Sequence, residues 1–128
     1  MLEWKFIIPE DEYEASAAFS ENSHYEISMI SLKGKKHLIR LKFPFCHFYQ
    51  IVDRNLFDIL HQIPSSPELE SPICKLETSS LITEVIHRAG GVLTEEDLVH
   101  FRICAKNLVI DLVLYKYQES TIRIEKVG

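Results

Sequence analysis

The stretch VHFRICAKNLVIDLVLYK, residues 99–116, decides the class of fold. Residues 99–105 alternate apolar and polar side chains, which is the two-residue period of a β-strand with one buried face. Residues 108–116 are apolar on both faces except at Asp111, which places this second strand at the centre of a sheet. Only Lys106-Asn107 lies between the two segments, so they are predicted to pair antiparallel through a tight turn.

Alternating segments elsewhere in the chain predict further strands. Residues 120–127 alternate isoleucine with charged side chains, and they predict a third strand in the same antiparallel meander. Residues 24–32 and 37–43 predict a hairpin, because the glycine-containing segment KGKK joins two alternating runs. Residues 2–8 alternate in the same way and predict a strand that ends at Pro9.

Two segments have the three- and four-residue spacing of an amphipathic helix. The first extends from about residue 45 to residue 63, where a proline-containing segment ends it. The second is capped by one of residues 78–80 and ends at Gly90-Gly91. The residues TEED, 94–97, predict either another helical start or a tight turn.

The remaining segments leave alternatives open. Residues 10–21 carry acids where a first helical turn would favour them, and they fit a short helix or a mobile acidic loop equally well. Residues 64–78 predict a polar connector, either a functional loop or a loosely ordered linker. Runs of strands separated by a block of helices predict an α+β fold, an antiparallel sheet of five or six strands with two helices packed on one face.

The composition restricts the classes of protein to which the chain can belong. It has 128 residues, of which 46% are hydrophobic and 26% charged, which predicts a single globular domain over residues 1–128. No apolar run is long enough to cross a bilayer and the N-terminus does not resemble a signal peptide, so we expect a cytoplasmic protein. Cys46, Cys74 and Cys104 form no CxxC pair, so we expect three reduced, buried thiols.

The sequence contains few signs of a reaction site. The six histidines lack the helical spacing of a zinc site, and no phosphate-binding loop or serine-nucleophile motif is present. We therefore expect no metal, no cofactor and no enzymatic activity. Asp111 is the exception, because a carboxylate in an apolar strand is costly to bury. The sequence leaves three explanations for Asp111 open: it pairs with Arg102 or Arg123, it lies on a partly hydrated face, or it marks a functional site.

The net charge of −5 conceals an uneven distribution. Residues 33–42 contain five basic residues and no acid, whereas nine of the 19 acids fall in three clusters. The clusters are Glu10, Asp11, Glu12 and Glu14; Glu68 and Glu70; and Glu95, Glu96 and Asp97. Each cluster alone is typical of a solvated face, but together they predict fast, steered docking to a basic protein. The basic segment would also suit RNA or DNA, but it lacks interleaved aromatic residues, so nucleic acid is the less favoured partner.

The segment HFRICAKNLVIDLV, which begins at His100, resembles the closing strands of small bacterial immunity proteins. In several such families a strand of the form His-Phe-x-Ile leads, through a turn with Asn, into an apolar strand Val-Ile-Asp-Val. These proteins neutralise polymorphic toxins or the toxins of contact-dependent growth inhibition. The resemblance covers residues 100–124 and does not extend to the first 98 residues, so no family-defined functional residue transfers to this chain.

The resemblance implies a cytosolic inhibitor that binds a cognate toxin domain tightly, often a nuclease with a basic groove. Acidic side chains from all three clusters would then mimic phosphates or cover that groove. One alternative is a small adaptor or assembly subunit that acts through protein–protein contacts, and that exposes an apolar patch or a free sheet edge. The other is an enzyme, which needs a pocket where Asp111 and a histidine converge, with or without Cys46 or Cys104. The sequence leaves the oligomeric state open.

Overall fold

The described strands form two antiparallel sheets of four strands each. The computed structural model describes residues 13–19, 24–31, 38–44, 46, 48–61, 72–76, 79–90 and 92–127. The strands are β1 (Tyr13–Phe19), β2 (Tyr25–Ser31), β3 (Leu38–Phe43), β4 (Phe48–Asp53), β5 (Ile73–Leu76), β6 (Leu98–Cys104), β7 (Leu108–Tyr115) and β8 (Arg123–Val127). The helices are α1 (Arg54–His61) and α2 (Ser80–Arg88), with 3₁₀ turns at Glu95–Asp97 and Lys116–Thr121.

The strand order separates the two sheets. Sheet I has the order β1-β2-β3-β8, and sheet II has the order β4-β7-β6-β5. Every neighbouring pair is antiparallel. In sheet II, β7 lies between β4 and β6, so the most apolar strand is central, as predicted. Within the described residues, β1 and β4 each pair with only one neighbour and so form sheet edges.

The inner faces of the two sheets share one hydrophobic core. Phe43 of sheet I contacts Phe101 of sheet II, with ring centroids 5.8 Å apart. Packing of two sheets face to face buries the apolar side of each alternating strand. Other members of this core are Tyr13, Ile27, Met29, Ile39, Leu41, Ile103, Ile110, Leu112 and Leu114.

Helix α2 packs on the outer face of sheet II. Ser79 caps its first turn, as predicted, because the Ser79 hydroxyl accepts a hydrogen bond of 3.1 Å from the amide of Ile82. Gly90 adopts a φ of 70° just after the helix, a conformation that favours glycine and ends the helix where predicted. None of the described helices is long and apolar enough to cross a membrane. In the contact between α2 and sheet II, Leu81, Ile82 and Val85 of the helix pack against Leu98 and Val113 of the sheet.

The α+β class with antiparallel strands is confirmed, but the single sheet of five or six strands is wrong. The β2–β3 hairpin and the β6–β7 hairpin form as predicted. The predicted meander fails at its last strand, because β8 pairs with β3 of sheet I and not with β7. Residues Lys116–Thr121 form a 3₁₀ helix instead of a tight turn, and this segment leads the chain to the other sheet.

The helix predicted over residues 45–63 is wrong in its first half. Phe48–Asp53 forms β4, and the helix begins only at Arg54. The apolar residues of β4 and α1 together have the three- and four-residue spacing of a helix, but this spacing is a coincidence. The aromatic and β-branched side chains of β4 favour a strand. The Asp53 carboxylate marks the boundary, because it caps α1 with a 3.1 Å hydrogen bond from the amide of Leu56.

Strands also replace two segments for which other structures were expected. Residues 13–19 form β1, neither a helix nor a loop, because Tyr13 and Ala15 face the core while Glu14 and Ser16 are exposed. Residues 73–76 of the expected connector form β5, which pairs with β6. The strand predicted over residues 2–8 and most of the connector lie outside the described residues.

Candidate functional site

A buried polar network lies on the outer face of sheet II, the face that α2 covers. Its centre is Asp111 of β7, whose side chain is 0% exposed. Because side chains alternate along a strand, His100 and Arg102 of β6 project from one face, and the register sets Arg102 opposite Asp111. Gln50 of β4 lies opposite Asp111 on its other side. Three strands therefore converge on one carboxylate.

Three side chains form hydrogen bonds with Asp111. Its Oδ1 atom lies 2.6 Å from His100 Nε2 and accepts a hydrogen bond of 2.8 Å from Arg102 Nε. Its Oδ2 atom accepts a hydrogen bond of 3.0 Å from Gln50 Nε2. A carboxylate buried without partners would be strongly destabilising, so these donors explain how the apolar strand tolerates one. The predicted pairing with Arg102 is confirmed, whereas Arg123 lies on β8 in sheet I.

The network continues from the sheet to both helices. His100 Nδ1 lies 2.9 Å from the Ser79 hydroxyl, and that hydroxyl also caps α2. The guanidinium of Arg102 lies over the ring of Phe57 in α1, 5.1 Å from its centroid, which is a cation–π contact. Asp111 is therefore connected to α2 through His100 and to α1 through Arg102.

The environment of Asp111 keeps it ionised. Burial alone would raise the pKa of this carboxyl. The hydrogen bond and charge of His100, together with Arg102, lower the pKa by more than burial raises it, to about 2. The charged form is therefore the one that the fold stabilises.

We expect Asp111 to make the free energy of unfolding depend on pH in the acid range. Because the folded-state pKa lies below the unfolded value, this stabilisation is complete above about pH 4 and is lost as the pH falls through about 2. The loss should be roughly 2 kcal/mol. Urea unfolding between pH 2 and pH 7 measures it. An Asp111→Asn variant should lack this part of the pH dependence of the free energy of unfolding. If the variant retained the whole wild-type pH dependence, the assignment of that dependence to Asp111 would be contradicted.

Ser79, His100 and Asp111 are connected in the order of a hydrolytic triad, and this order is the one feature that would favour an enzyme. The ring orientation is reversed, however, because Nδ1 faces the serine and Nε2 faces the aspartate. The His100 side chain is 0% exposed, whereas the nitrogen that takes the serine proton must also reach the leaving group. None of these three residues lines the cavity beside Tyr25 and Tyr49 or the one beside Phe48 and Val85. The geometry of Ser79, His100 and Asp111 suits a structural link between α2 and the strands β6 and β7.

Neither Cys46 nor Cys104 offers a reactive thiolate. All three are buried, as predicted. Burial raises the pKa of Cys46 to about 12. A hydrogen bond with Cys74 and then burial raise the pKa of Cys104 far above its ordinary range. A thiol with a raised pKa stays protonated and is a poor nucleophile.

The four predicted acidic residues that the structure describes lie on different parts of the molecule. Glu95, Glu96 and Asp97 form an exposed turn before β6, whereas Glu14 is exposed on β1 in sheet I. In that turn, the Asp97 carboxylate accepts hydrogen bonds of 2.9 and 3.1 Å from the amide and hydroxyl of Thr94. Asp97 therefore also holds the turn together. The other predicted contacts, Glu10, Asp11, Glu12, Glu68 and Glu70, lie outside the described residues.

The basic segment is less isolated in the structure than in the sequence. Its two described members, Arg40 and Lys42, lie on β3 between neighbouring strands. Arg40 is 3.8 Å from Glu26 of β2, and Lys42 is 3.1 Å from Glu125 of β8. Cross-strand acids therefore partly neutralise the positive charge that the linear sequence concentrates there.

An apolar cleft opens between the two sheets where their edges β1 and β4 lie on the same side. Its volume is about 200 Å³. Tyr49 and Ile51 border it and remain 47% and 44% exposed, although they share the inner face of sheet II. The rings of Tyr25 and Tyr49 lie 4.6 Å apart across the cleft. The remaining lining residues are Ala17, Ala18, Ile27, Ile110 and Leu112.

Sequence reasoning identified Asp111 and its pairing with Arg102 but missed His100 and Gln50. The signal for His100 was present, because it alternates with Arg102 on one strand and so shares its face. Gln50 gave no such signal once its segment had been assigned to a helix. In the described part of the chain, no group of three or more His, Cys, Asp or Glu side chains could hold a metal ion. No family model, curated protein or solved structure matches this chain.

Proposed function

We propose that this protein is a cytoplasmic immunity protein that binds a cognate toxin domain and neutralises it without catalysis. The observation that carries the proposal is the exposed acidic turn Glu95–Asp97, which is held in one conformation by its hydrogen bonds with Thr94. An ordered turn loses little conformational entropy when it binds, so its carboxylates are preorganised for a basic surface. The resemblance of residues 100–124 to immunity proteins supports the same function.

The acidic turn would act by electrostatic complementarity. A nuclease presents a basic groove to nucleic acid, and carboxylates placed over that groove occupy the positions of phosphates. Opposite charges across an interface mainly raise the rate of association, and salt screens this effect. The complex should therefore form more slowly at high ionic strength.

A small adaptor or assembly subunit is the second candidate, and the apolar cleft favours it. An exposed apolar surface is typical of sites of protein–protein contact. The two candidates differ in consequence, because an adaptor binds its partner without neutralising it. The candidate toxin domain is the C-terminal domain of the protein encoded next to this gene. Growth of cells that express this domain, with and without this protein, separates the two candidates.

Reversing the charges of the acidic turn should weaken toxin binding about tenfold, mostly through slower association. The variant combines Glu95→Lys with Glu96→Lys and leaves Asp97 in place, because Asp97 holds the turn. Surface interferometry with the adjacent toxin domain, at low and high salt, measures the rate constants.

Glu84→Lys is the matched control, because Glu84 is also exposed and, among the described residues, pairs only with Arg88 of its own helix, at 2.8 Å. It should bind the toxin like the wild type. Equal binding by the doubly reversed variant would contradict the acidic mechanism and leave the immunity function standing. A wild-type protein that neither binds nor neutralises the toxin would contradict the function itself.

A further inference from the structure

We propose that the turn Lys106-Asn107 caps the edge of β1 and so prevents two copies of this protein from joining through that edge. The turn connects β6 and β7 of sheet II, whereas β1 belongs to sheet I. An uncapped sheet edge presents a row of main-chain donors and acceptors with which another chain can pair. The contact is therefore autoinhibitory, because the turn occupies the place that a second copy would take.

Three hydrogen bonds attach the turn to main-chain groups of β1 that point away from β2. The side chain of Asn107 accepts a bond from the amide of Ala15 and donates one to its carbonyl, at 2.9 Å each. The amide of Lys106 donates to the carbonyl of Tyr13 at 2.7 Å. A residue opposite Ala15 in an antiparallel ladder would form the same two bonds. The carboxamide of Asn107 therefore substitutes for the main chain of a neighbouring strand.

The turn is held in this position by bonds within sheet II and to α1. The carbonyl of Asn107 accepts a hydrogen bond of 3.0 Å from the amide of Arg54, the first residue of α1. The guanidinium of Arg54 donates to the carbonyl of Ala105 at 3.0 Å, and the amide of Ala105 donates to the carbonyl of Leu108 at 2.9 Å. Because the main chain of the turn is already fixed, its contact with β1 orders few further groups.

The edge of β1 is suited to pairing with a second copy. Its sequence, YEASAAF, contains no lysine and no proline, two residues that commonly protect an exposed edge. Outward main-chain groups belong to alternate residues, so a two-fold antiparallel pair centred on Ser16 would set Ala15 of one copy opposite Ala17 of the other. Glu14 would then lie opposite Ala18, so this register brings no like charges together.

The cap blocks every pair in this register. Among the described residues, none bonds to the outward amide or carbonyl of Ala17. In the two-fold pair, however, Ala17 needs Ala15 of the other copy as its partner, and Phe19 needs Tyr13. The turn of that copy already engages both of these partners. Two capped edges therefore offer each other no complete pair of main-chain groups.

An uncapped variant tests the inference without any partner protein, so the test is independent of the proposed function. The uncapped variant combines Lys106→Pro with Asn107→Gly, which removes all three bonds to β1 and leaves two residues that are common in turns. We expect it to dimerise with a dissociation constant about tenfold or more below that of the wild type. Sedimentation velocity over a range of protein concentrations measures this constant.

Lys106→Ala is the matched control, because it changes the same turn but keeps the main-chain amide that bonds to Tyr13. It should associate no more strongly than the wild type. The milder variant Asn107→Gly loses only the two bonds to Ala15, and it carries the test if the uncapped variant does not fold. The same outcomes decide for either variant.

Hydrogen exchange and a second substitution locate the new contact. The Ala17 amide should exchange about tenfold or more slowly in the dimer than in the wild type, because it becomes bonded. Adding Ala17→Pro removes this outward amide and should restore the monomer, since proline is tolerated where an edge amide faces outward. A folded variant without the cap that associates no more than the wild type would overturn the inference. So would a dimer that persists with Ala17→Pro, or equal association of Lys106→Ala.

Discussion

Replacing Asp111 by alanine is expected to lower the free energy of unfolding by about 3–5 kcal/mol. The substitution leaves Arg102, His100 and Gln50 without the carboxylate to which all three bond. The destabilisation comes mainly from the buried donors that remain, since an unpaired buried charge costs more than a buried ion pair contributes. Chemical denaturation at neutral pH, followed by fluorescence, measures the change.

Glu125→Ala is the control for Asp111→Ala. Glu125 also accepts a hydrogen bond from a basic side chain, Lys42, at 3.1 Å, but 45% of its side chain is exposed. An exposed ion pair contributes about 0–1 kcal/mol, so this variant should remain close to the wild type. If both variants lost the same small amount, the network would not carry the stability that its burial implies.

Phe101→Ala should be similarly destabilising, by about 3–5 kcal/mol, because it removes a buried aromatic ring and leaves a cavity. Phe101 is 0% exposed and packs against Phe43 of the opposite sheet. Truncation therefore removes a contact that holds the two sheets together. Thermal and chemical unfolding both report the loss.

Tyr117→Ala provides the comparison for Phe101→Ala. Tyr117 also contacts another aromatic ring, Tyr115, with centroids 5.5 Å apart, but it is 76% exposed. Its removal should change the free energy of unfolding by less than about 0.5 kcal/mol. Equal effects of the two substitutions would contradict the packing of sheets I and II across Phe101.

The part of the fold that the sequence predicts best lies where local and tertiary preferences agree. The two-residue turn at Lys106-Asn107 fixes the register of β6 and β7, and it therefore sets Arg102 opposite Asp111. Ser79 and Gly90 mark the ends of α2 through backbone requirements that few other residues meet. Such signals act over a few residues, so they can be read without knowing the rest of the structure.

Prediction fails where tertiary contacts decide. The segment that became β4 has helical spacing but side chains that favour a strand, and its pairing with β7 decides between the two. β1 has three alanines and weak strand preference, but it is held by β2 along its whole length. The partition into two sheets depends on β8 returning to β3, which no local pattern specifies. Gln50 lies on β4, so its place beside Asp111 could not be predicted while that segment was assigned to a helix.

The return of β8 to β3 has a consequence for biosynthesis. Residues 38–42 pair with residues 123–127, so sheet I is completed only after β8 has been made. Until then the edge of β3 is open to pairing with other chains. Contacts between such distant residues slow folding, because a long loop must close before they form. Sheet I should therefore be completed in a late, cooperative step of folding.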